Sequence, residues 1–284
     1  MAVRRAGGAQ EGRSMIDVDA GLRIESTELI GFMVRLGERM ARLEAPGDRP
    51  RPVVLPAYGG TRRLPNLTAL LVLLLRRYGV PVVVHGPAVT AGEFGRVTTA
   101  AVLRELGVEP VTSLAEAEQG VAHERIVYAP ISLLAPGLGE LLALRRQAGL
   151  RGEPQRLANL IDPFGGVGFR VVSVSHPDDL PRMREFLSTT RADALLLRGT
   201  EGEPFANPRR QPRLECFAAG VPAILFEAEA GPPLTPLALP RVLDASTTAA
   251  WIAAVLAGEQ PVPQPIVNQL ACCLLATRRT PDAS

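Results

Sequence analysis

The sequence contains no lysine, so all 31 of its basic residues are arginine. Because 29 acidic residues offset them, the formal net charge is only +2, and no strong overall field points to a nucleic-acid or membrane partner. A high-GC genome alone would produce this arginine bias. Every cation is still a planar guanidinium, which is suited to paired hydrogen bonds with phosphate or carboxylate oxygens.

Cysteine, aromatic residues and long apolar runs are also scarce. The three cysteines provide neither an even disulfide framework nor the spacing of metal ligands, which favours a reducing compartment. The most apolar run, residues 67–75, is too short to span a bilayer and is followed by two arginines. Residues 1–14 lack the apolar stretch of a secretory signal. We therefore expect a cytoplasmic protein without a membrane partner.

The hydrophobic pattern changes once along the chain, after a Pro/Gly-rich break at 45–52. Residues 1–20 are predicted to be disordered, and 21–50 to form a partial helical lobe that is joined by a helix over 132–150. An α/β domain is predicted over 51–284, because short β-branched runs alternate there with helical stretches. That alternation is typical of a mostly parallel sheet covered on both faces. The predicted strands are 53–55, 82–84, 126–128, 170–175, 194–197 and 223–226.

Ligands of such sheets collect at the carboxyl ends of the strands, and the first strand exit offers an anion site. Its residues are Tyr58, Gly59, Gly60, Thr61, Arg62 and Arg63, ahead of a predicted helix. Adjacent glycines let backbone N–H groups approach an anion, the helix N-terminus adds partial positive charge, and arginines can clamp phosphate oxygens. A plain tight turn with solvated arginines is the alternative, and the combination of features favours the anion site.

Three further strand exits carry candidate residues. His85 and Gly86 follow the second strand, where a histidine could donate to a ligand, although a structural role is slightly favoured because no carboxylate partner is visible. A Gly-rich turn leads to Thr98 and Thr99, which are candidate phosphate ligands or a helix N-cap. Carboxylates of the loop 198–210 could hold a metal, but a solvated charged loop is the default interpretation.

Arginines cluster beside these exits and on the segment that returns to the sheet. If the fold brings them together, they form one electropositive groove that would contact nucleic-acid phosphates with little sequence selectivity. The candidate nucleic-acid contacts are Arg62, Arg63, Arg96, Arg145, Arg146, Arg151, Arg156, Arg209 and Arg210.

These motifs, in this order, resemble the anthranilate phosphoribosyltransferase family from about Leu22 to the C-terminus. The resemblance is carried by Leu-Pro-Ala-Tyr-Gly-Gly-Thr-Arg-Arg-Leu-Pro-Asn-Leu-Thr over 55–68, Gly-Arg-Val-Thr-Thr over 95–99, Val-Ser-His-Pro over 174–177 and Arg-Gly-Thr-Glu-Gly-Glu-Pro over 198–204. The last two are typical of the YbiB-like branch, whose type member binds DNA. The resemblance implies a small helical lobe plus a larger α/β lobe of the nucleoside phosphorylase/phosphoribosyltransferase type, and a homodimer through the helical lobe.

Three departures from the family's pattern concern its chemistry. The family's phosphoribosyl pyrophosphate loop, Gly-Thr-Gly-Gly-Asp, is matched by 57–61, where the acid is lost and a tyrosine has entered. Its Lys-His-Gly-Asn becomes Val84-His85-Gly86-Pro87, and its Mg²⁺-binding Asp-Glu pair falls near Pro204 and Phe205, which cannot ligate a hard cation. Glu201 or Glu203 could substitute. The helical stretch before the first strand is also shorter than in the family, which weakens the expectation of a homodimer.

The sequence therefore predicts a nucleic-acid-binding protein, with DNA as the expected ligand, that lacks anthranilate phosphoribosyltransferase activity. No catalytic residue, metal ligand or cofactor is predicted for that function. The alternative is a phosphoribosyl or other glycosyl transferase with an unknown acceptor, which would need Mg²⁺ and phosphoribosyl pyrophosphate. A scaffold or anion-sensing protein is a third option without a positive sequence feature.

Overall fold

The computed structural model describes residues 26–47, 50–88, 95–123, 125–147, 153–230 and 238–278. The predicted disorder over 1–20 lies outside these residues. Seven strands form one sheet in the order β3-β2-β1-β4-β5-β6-β7. Their bounds are β1 Val53–Pro56, β2 Val82–Gly86, β3 Ile126–Pro130, β4 Phe169–Val174, β5 Ala194–Arg198, β6 Leu214–Ala218 and β7 Val221–Phe226.

The first five strands are parallel, and β6 and β7 are antiparallel to their neighbours, which confirms the predicted α/β class with a mostly parallel sheet. β6 was absent from the sequence prediction because Glu215 and Cys216 interrupt its apolar pattern. Ala219 and Gly220 join it to β7 with φ angles of 47° and 82°, as a two-residue hairpin turn requires.

Ten helices are present in the described part of the chain. They are α1 Ser26–Arg39, α2 Thr68–Arg77, α3 Thr99–Glu105, α4 Leu114–Ala122, α5 Ile131–Leu134, α6 Pro136–Gln147, α7 Glu153–Ala158, α8 Leu180–Thr189, α9 Ala245–Leu256 and α10 Gln264–Thr277. The single helix predicted over 132–150 is two helices, because Pro136 begins a new one. None of the described helices is long and apolar enough to cross a membrane.

Alternate residues of the parallel strands enter opposite cores. Val53 and Leu55 of β1 pack with α2, α3, α9 and α10, whereas Val54 packs on the other face with residues of α4 to α7. A third cluster on that second face joins α1 and α8 to β4 and β5. This burial on both faces explains why the strands are continuous apolar runs in the sequence.

The segments predicted to form the helical lobe contain α1, α5 and α6. Leu29 of α1 is buried in the same cluster as Val172 and Val174 of β4. Arg51, in the linker that follows, is 9% exposed and forms a 2.7 Å ion pair with Asp193. The division into a lobe over 21–50 and a domain over 51–284 stays a prediction.

The strand order places a crevice between β1 and β4. The chain proceeds from β1 to β2 and β3 on one side of the sheet centre, and from β4 to β5 on the other. Connections leave β1 and β4 in opposite directions, and ligands of open parallel sheets bind where this happens. The loop that leaves β5 reaches across β4 to the same place.

Candidate functional site

The glycine loop after β1 holds a carboxylate of the same chain. Glu203 Oε1 accepts hydrogen bonds from the backbone N–H of Gly59 at 2.9 Å and of Gly60 at 2.8 Å. Glu203 is 1% exposed. The anion-suited amides predicted from the sequence are therefore real donors, and in this structure their acceptor is a glutamate that follows β5.

The second oxygen of the same carboxylate is satisfied by side chains from two other elements. Thr99, at the start of α3, donates its hydroxyl to Glu203 Oε2 over 2.7 Å. Asn66 Nδ2 lies 3.4 Å from Oε2 and donates a better bond to the carbonyl of Val97 at 3.0 Å. Four donors thus converge on one buried carboxylate, and we call Gly59, Gly60, Asn66 and Thr99 the amide cradle.

A second glutamate binds the backbone immediately downstream. Glu201 accepts from the N–H groups of Arg62, Arg63 and Leu64 at distances of 2.8 to 3.1 Å. Five of the six backbone amides from Gly59 to Leu64 therefore donate to the carboxylates of Glu201 and Glu203, which belong to one short turn. The solvated charged loop expected for 198–210 is wrong at its centre, because it packs against the sheet and satisfies buried donors.

The turn that carries both glutamates is tightly built. Thr200 and Glu203 exchange backbone hydrogen bonds, and Glu201 and Gly202 between them have φ angles of 54° and 92°. Positive φ at both central residues defines the turn that suits a hairpin, and it is uncommon for a glutamate. The hydroxyl of Ser173 on β4 donates to the carbonyl of Gly202 at 2.9 Å. The turn is thereby fixed over the crevice between β1 and β4.

Arg96 links the β1 loop to the Glu201 turn through hydrogen bonds to their carbonyl groups. Its Nε donates to the carbonyls of Gly59 at 2.8 Å and Gly60 at 3.1 Å, and its Nη2 donates to the carbonyl of Glu201 at 3.3 Å. The guanidinium also lies 3.8 Å from the Glu201 carboxylate, and the side chain is 17% exposed. Nε and Nη2 of Arg96 thus donate within the chain from a mostly buried side chain, which is a structural role, and its predicted nucleic-acid contact stays a prediction.

The partly buried Tyr58 and the fully buried His85 form a pair beside the cradle. The Tyr58 hydroxyl is 2.9 Å from His85 Nδ1, and the two rings meet edge to face. Burial lowers the pKa of His85 to about 3 and raises the pKa of Tyr58 well above its ordinary value, so both side chains are neutral at physiological pH. His85 Nε2 is buried and has no hydrogen-bond partner among the described residues. The slightly favoured structural role of His85 fits this environment.

The other predicted phosphate ligands have local roles. Thr61 pairs with Val97 through two backbone hydrogen bonds, and its buried hydroxyl has no partner in the described part of the chain. Thr98 is the N-cap of α3 and accepts from the N–H of Ala101 at 3.1 Å. Gly86 ends β2, where a Cβ would overlap the loop after β1. Phosphate binding by any of these residues stays a prediction.

Four arginines at the carboxyl edge of the sheet are exposed. Arg62 and Arg63 follow β1, Arg198 ends β5, and Arg209 lies on the loop before β6. Within the described ranges none of these guanidinium groups makes a hydrogen bond or ion pair. These guanidinium groups are available to an external ligand at this edge, and Arg198 was not among the candidate contacts predicted from the sequence.

The remaining predicted contacts are less informative. Arg156 on α7 lies 3.8 Å from Asp179, and Arg210 is exposed beside Arg209. Arg151 and the side chains of Arg145 and Arg146 lie outside what the structure describes. Whether all these arginines share one groove stays a prediction.

The residues at the family's metal position do not fit Mg²⁺. Phe205 is fully buried in the apolar core, and the carbonyl of Pro204 accepts from Gln269 at 2.8 Å. Glu201 and Glu203, which could have substituted, accept hydrogen bonds from the β1 loop instead. Across the described ranges, no three histidine, cysteine or acidic side chains come together as metal ligands do.

Comparison with known proteins identifies the fold and the family. The fold is that of a phosphoribosyltransferase: the crystal structure of anthranilate phosphoribosyltransferase from Thermus thermophilus superposes with a TM-score of 0.69 at 20% identity, covering 92% of this chain and 77% of that one. Uncharacterized protein YbiB of Escherichia coli is 37% identical over 253 residues, which are 88% of this chain and 77% of YbiB. The chain belongs to the anthranilate phosphoribosyltransferase family, together with YbiB.

A more distant relative shows how far the family likeness extends. Anthranilate phosphoribosyltransferase of Frankia alni is 27% identical over 263 residues, which are 86% of this chain and 70% of the enzyme. No protein-family model matches the chain.

Proposed function

We propose that this chain binds nucleic acid, with DNA as the expected ligand, through exposed arginines at the carboxyl edge of its sheet. The observation that carries the proposal is the state of Arg62 and Arg63. Their backbone N–H groups are fixed by Glu201, and their side chains are exposed without a partner among the described residues. Hydrogen bonds to Glu201 thus fix the backbone of the loop, while the guanidinium groups of Arg62 and Arg63 are exposed to solvent.

Phosphates are the ligand that suits these side chains. A guanidinium presents a planar set of donors that matches phosphate oxygens, and such contacts position a protein on a nucleic acid without reading its sequence. Arg198 and Arg209 add two charges at the same edge, on the segment that Glu201 and Glu203 tie to the β1 loop. Binding would therefore be weakly selective and strongly dependent on salt.

The same geometry argues against transfer of a phosphoribosyl group. The glycine amides that would hold a substrate phosphate are bound to Glu203, and the positions of the metal-binding acids are Pro204 and Phe205. A departing pyrophosphate needs its developing charge neutralised, which these residues do not provide. The transferase alternative rests on the fold and on family membership.

A salt titration tests the proposal. We expect labelled DNA to be retained at low salt, with the logarithm of affinity falling linearly against that of salt concentration. Each phosphate contact contributes about 0.9 to the slope on duplex DNA and about 0.7 on single strands, so Arg62→Ala with Arg63→Ala should lower it by about 1.8 or 1.4.

The matched control removes two exposed arginines elsewhere. Arg104 is near the end of α3, where it pairs with Glu109, and Arg125 precedes β3, so both are far from the carboxyl edge. Arg104→Ala with Arg125→Ala changes net charge by the same amount and should leave the slope unchanged. Equal effects of the two double variants, or absence of binding at low salt, would refute the proposal.

The expected homodimer also remains a proposal. Phe32 on α1 and Leu141 and Leu144 on α6 are exposed apolar residues of the helical region, at 39%, 39% and 63%. Sedimentation equilibrium would detect a dimer, and Leu144→Glu would dissociate it. A monomer at all concentrations would end the expectation.

A further inference from the structure

Glu203 has the surroundings of a bound ligand. Its carboxylate receives two backbone N–H groups from adjacent glycines, one hydroxyl and one side-chain amide. Adjacent backbone amides that converge beside a strand exit form the kind of concavity that binds phosphate and other oxyanions in proteins. Among the described residues, no cation forms an ion pair with Glu203. The hydrogen-bond donors to the Glu203 carboxylate are therefore all neutral groups.

The backbone that carries Glu203 is held in place by hydrogen bonds and close contacts. The turn from Thr200 to Glu203 is closed by reciprocal hydrogen bonds, and Ser173 anchors its centre. Gly199, just before the turn, lies so close to the Glu203 carbonyl oxygen that a Cβ at that position would overlap it. Glu203 is therefore placed by the fold of the β5 loop and does not swing in as a flexible surface side chain would.

An external anion and Glu203 need the same donors. A phosphate or carboxylate in the cradle would have to accept from Gly59, Gly60 and Thr99, whose N–H and hydroxyl groups already donate to the glutamate. Entry of the anion would also bring a second negative charge against a buried carboxylate, which is strongly unfavourable.

We propose that Glu203 is a built-in occupant of the amide cradle, which excludes small phosphates from it, and that removal of this side chain leaves a binding site for a small oxyanion. The inference does not depend on nucleic-acid binding, since it concerns a buried set of donors and not the exposed arginines. It identifies Glu203 as the residue that decides whether the β1 loop accepts a phosphate.

The test compares Glu203→Ala with wild type and with Glu215→Ala. Glu215 is also a buried glutamate, 6% exposed, but it pairs with Arg184 at 2.6 Å and lies away from the cradle. Both variants should lose stability. Inorganic phosphate, at constant ionic strength, should raise the melting temperature of Glu203→Ala in step with the logarithm of phosphate concentration above the dissociation constant, on the order of 5 °C at a hundredfold excess. Formate should act in the same direction.

The other two proteins report the general stabilisation of folded proteins by phosphate, and Glu203→Ala should show an additional rise in melting temperature above theirs. Identical phosphate responses in all three would overturn the proposal. Should Glu203→Ala fail to fold in chloride, refolding in phosphate replaces the melting curve, and continued failure there while Glu215→Ala folds would equally overturn it.

Glu203→Gln separates occupancy from charge. An uncharged amide of the same shape still fills the cradle and can accept from the two glycine N–H groups, so this variant should show the wild-type response to phosphate. Saturable perturbation of the Gly59 and Gly60 amide resonances by phosphate in the wild-type protein would contradict the exclusion directly.

Discussion

We predict that Arg96→Ala and Arg62→Ala have different effects: the first should lower stability and the second should weaken DNA binding. Arg96 makes hydrogen bonds to three carbonyl oxygens from a mostly buried position, whereas the Arg62 side chain is exposed and unbonded within the described chain. Hydrogen bonds from charged donors contribute about 1.5–3 kcal/mol each. Because Nε is shared between two of the carbonyls, we count two bonds and allow for rehydration, which gives roughly 2–4 kcal/mol of lost stability for Arg96→Ala.

Arg62→Ala should change the free energy of unfolding by no more than about 0.5 kcal/mol, as most surface substitutions do. Its effect should fall on DNA binding, where one lost phosphate contact lowers the salt slope by about 0.9. Urea unfolding and a DNA salt titration on both variants measure the two quantities. The reasoning is refuted if Arg62→Ala destabilises as much as Arg96→Ala. It is also refuted if Arg96→Ala retains full stability while losing affinity.

Two further predictions concern residues beside the crevice. The pKa of His85 falls from 6.5 to about 3 in the folded protein, so the unfolded chain binds a proton first as the pH drops. Stability from this group is complete above pH 6.5 and is lost toward pH 3, by at most about 1.4 kcal/mol per unit. Urea unfolding at several pH values should show this slope in the difference between the unfolding free energies of wild type and His85→Asn; a difference that does not change with pH would contradict it. Gly199→Ala should cost about 1–3 kcal/mol, since its methyl group would overlap the Glu203 carbonyl; an unchanged urea midpoint would contradict that.

The sheet could be predicted because parallel strands that are buried on both faces occur in the sequence as short apolar runs. Five of the six predicted strands supply the parallel part of the sheet, and the sixth is the edge strand β7. β6 was missed because Glu215 is polar in sequence, although the fold buries it against Arg184. α4 was missed too, and its signal was present: Ser113 caps it by accepting from Glu116 N–H.

The sequence placed the glycine pair after β1 at a strand exit, where ligands of this fold class collect, but it did not reveal which group accepts the hydrogen bonds of those glycines. The partner of those glycines is 144 residues away from Gly59. No local pattern joins them, because the β5 loop reaches the glycines only through the order of the strands.

Polarity alone also could not separate the roles of individual arginines. Arg62 and Arg96 are both basic residues near glycine-rich turns, so composition could not separate a residue that braces carbonyls from one that faces outward. Burial decides between the two roles, and burial depends on the tertiary position of each turn.

The most direct test of the account is competition between phosphoribosyl pyrophosphate with Mg²⁺ and labelled DNA, measured by fluorescence anisotropy on the wild-type protein at fixed ionic strength. We expect DNA to stay bound, with no saturable displacement and no release of pyrophosphate, because Glu203 fills the cradle and the arginines proposed to bind DNA lie outside it. Saturable, Mg²⁺-dependent displacement accompanied by pyrophosphate release would contradict the account.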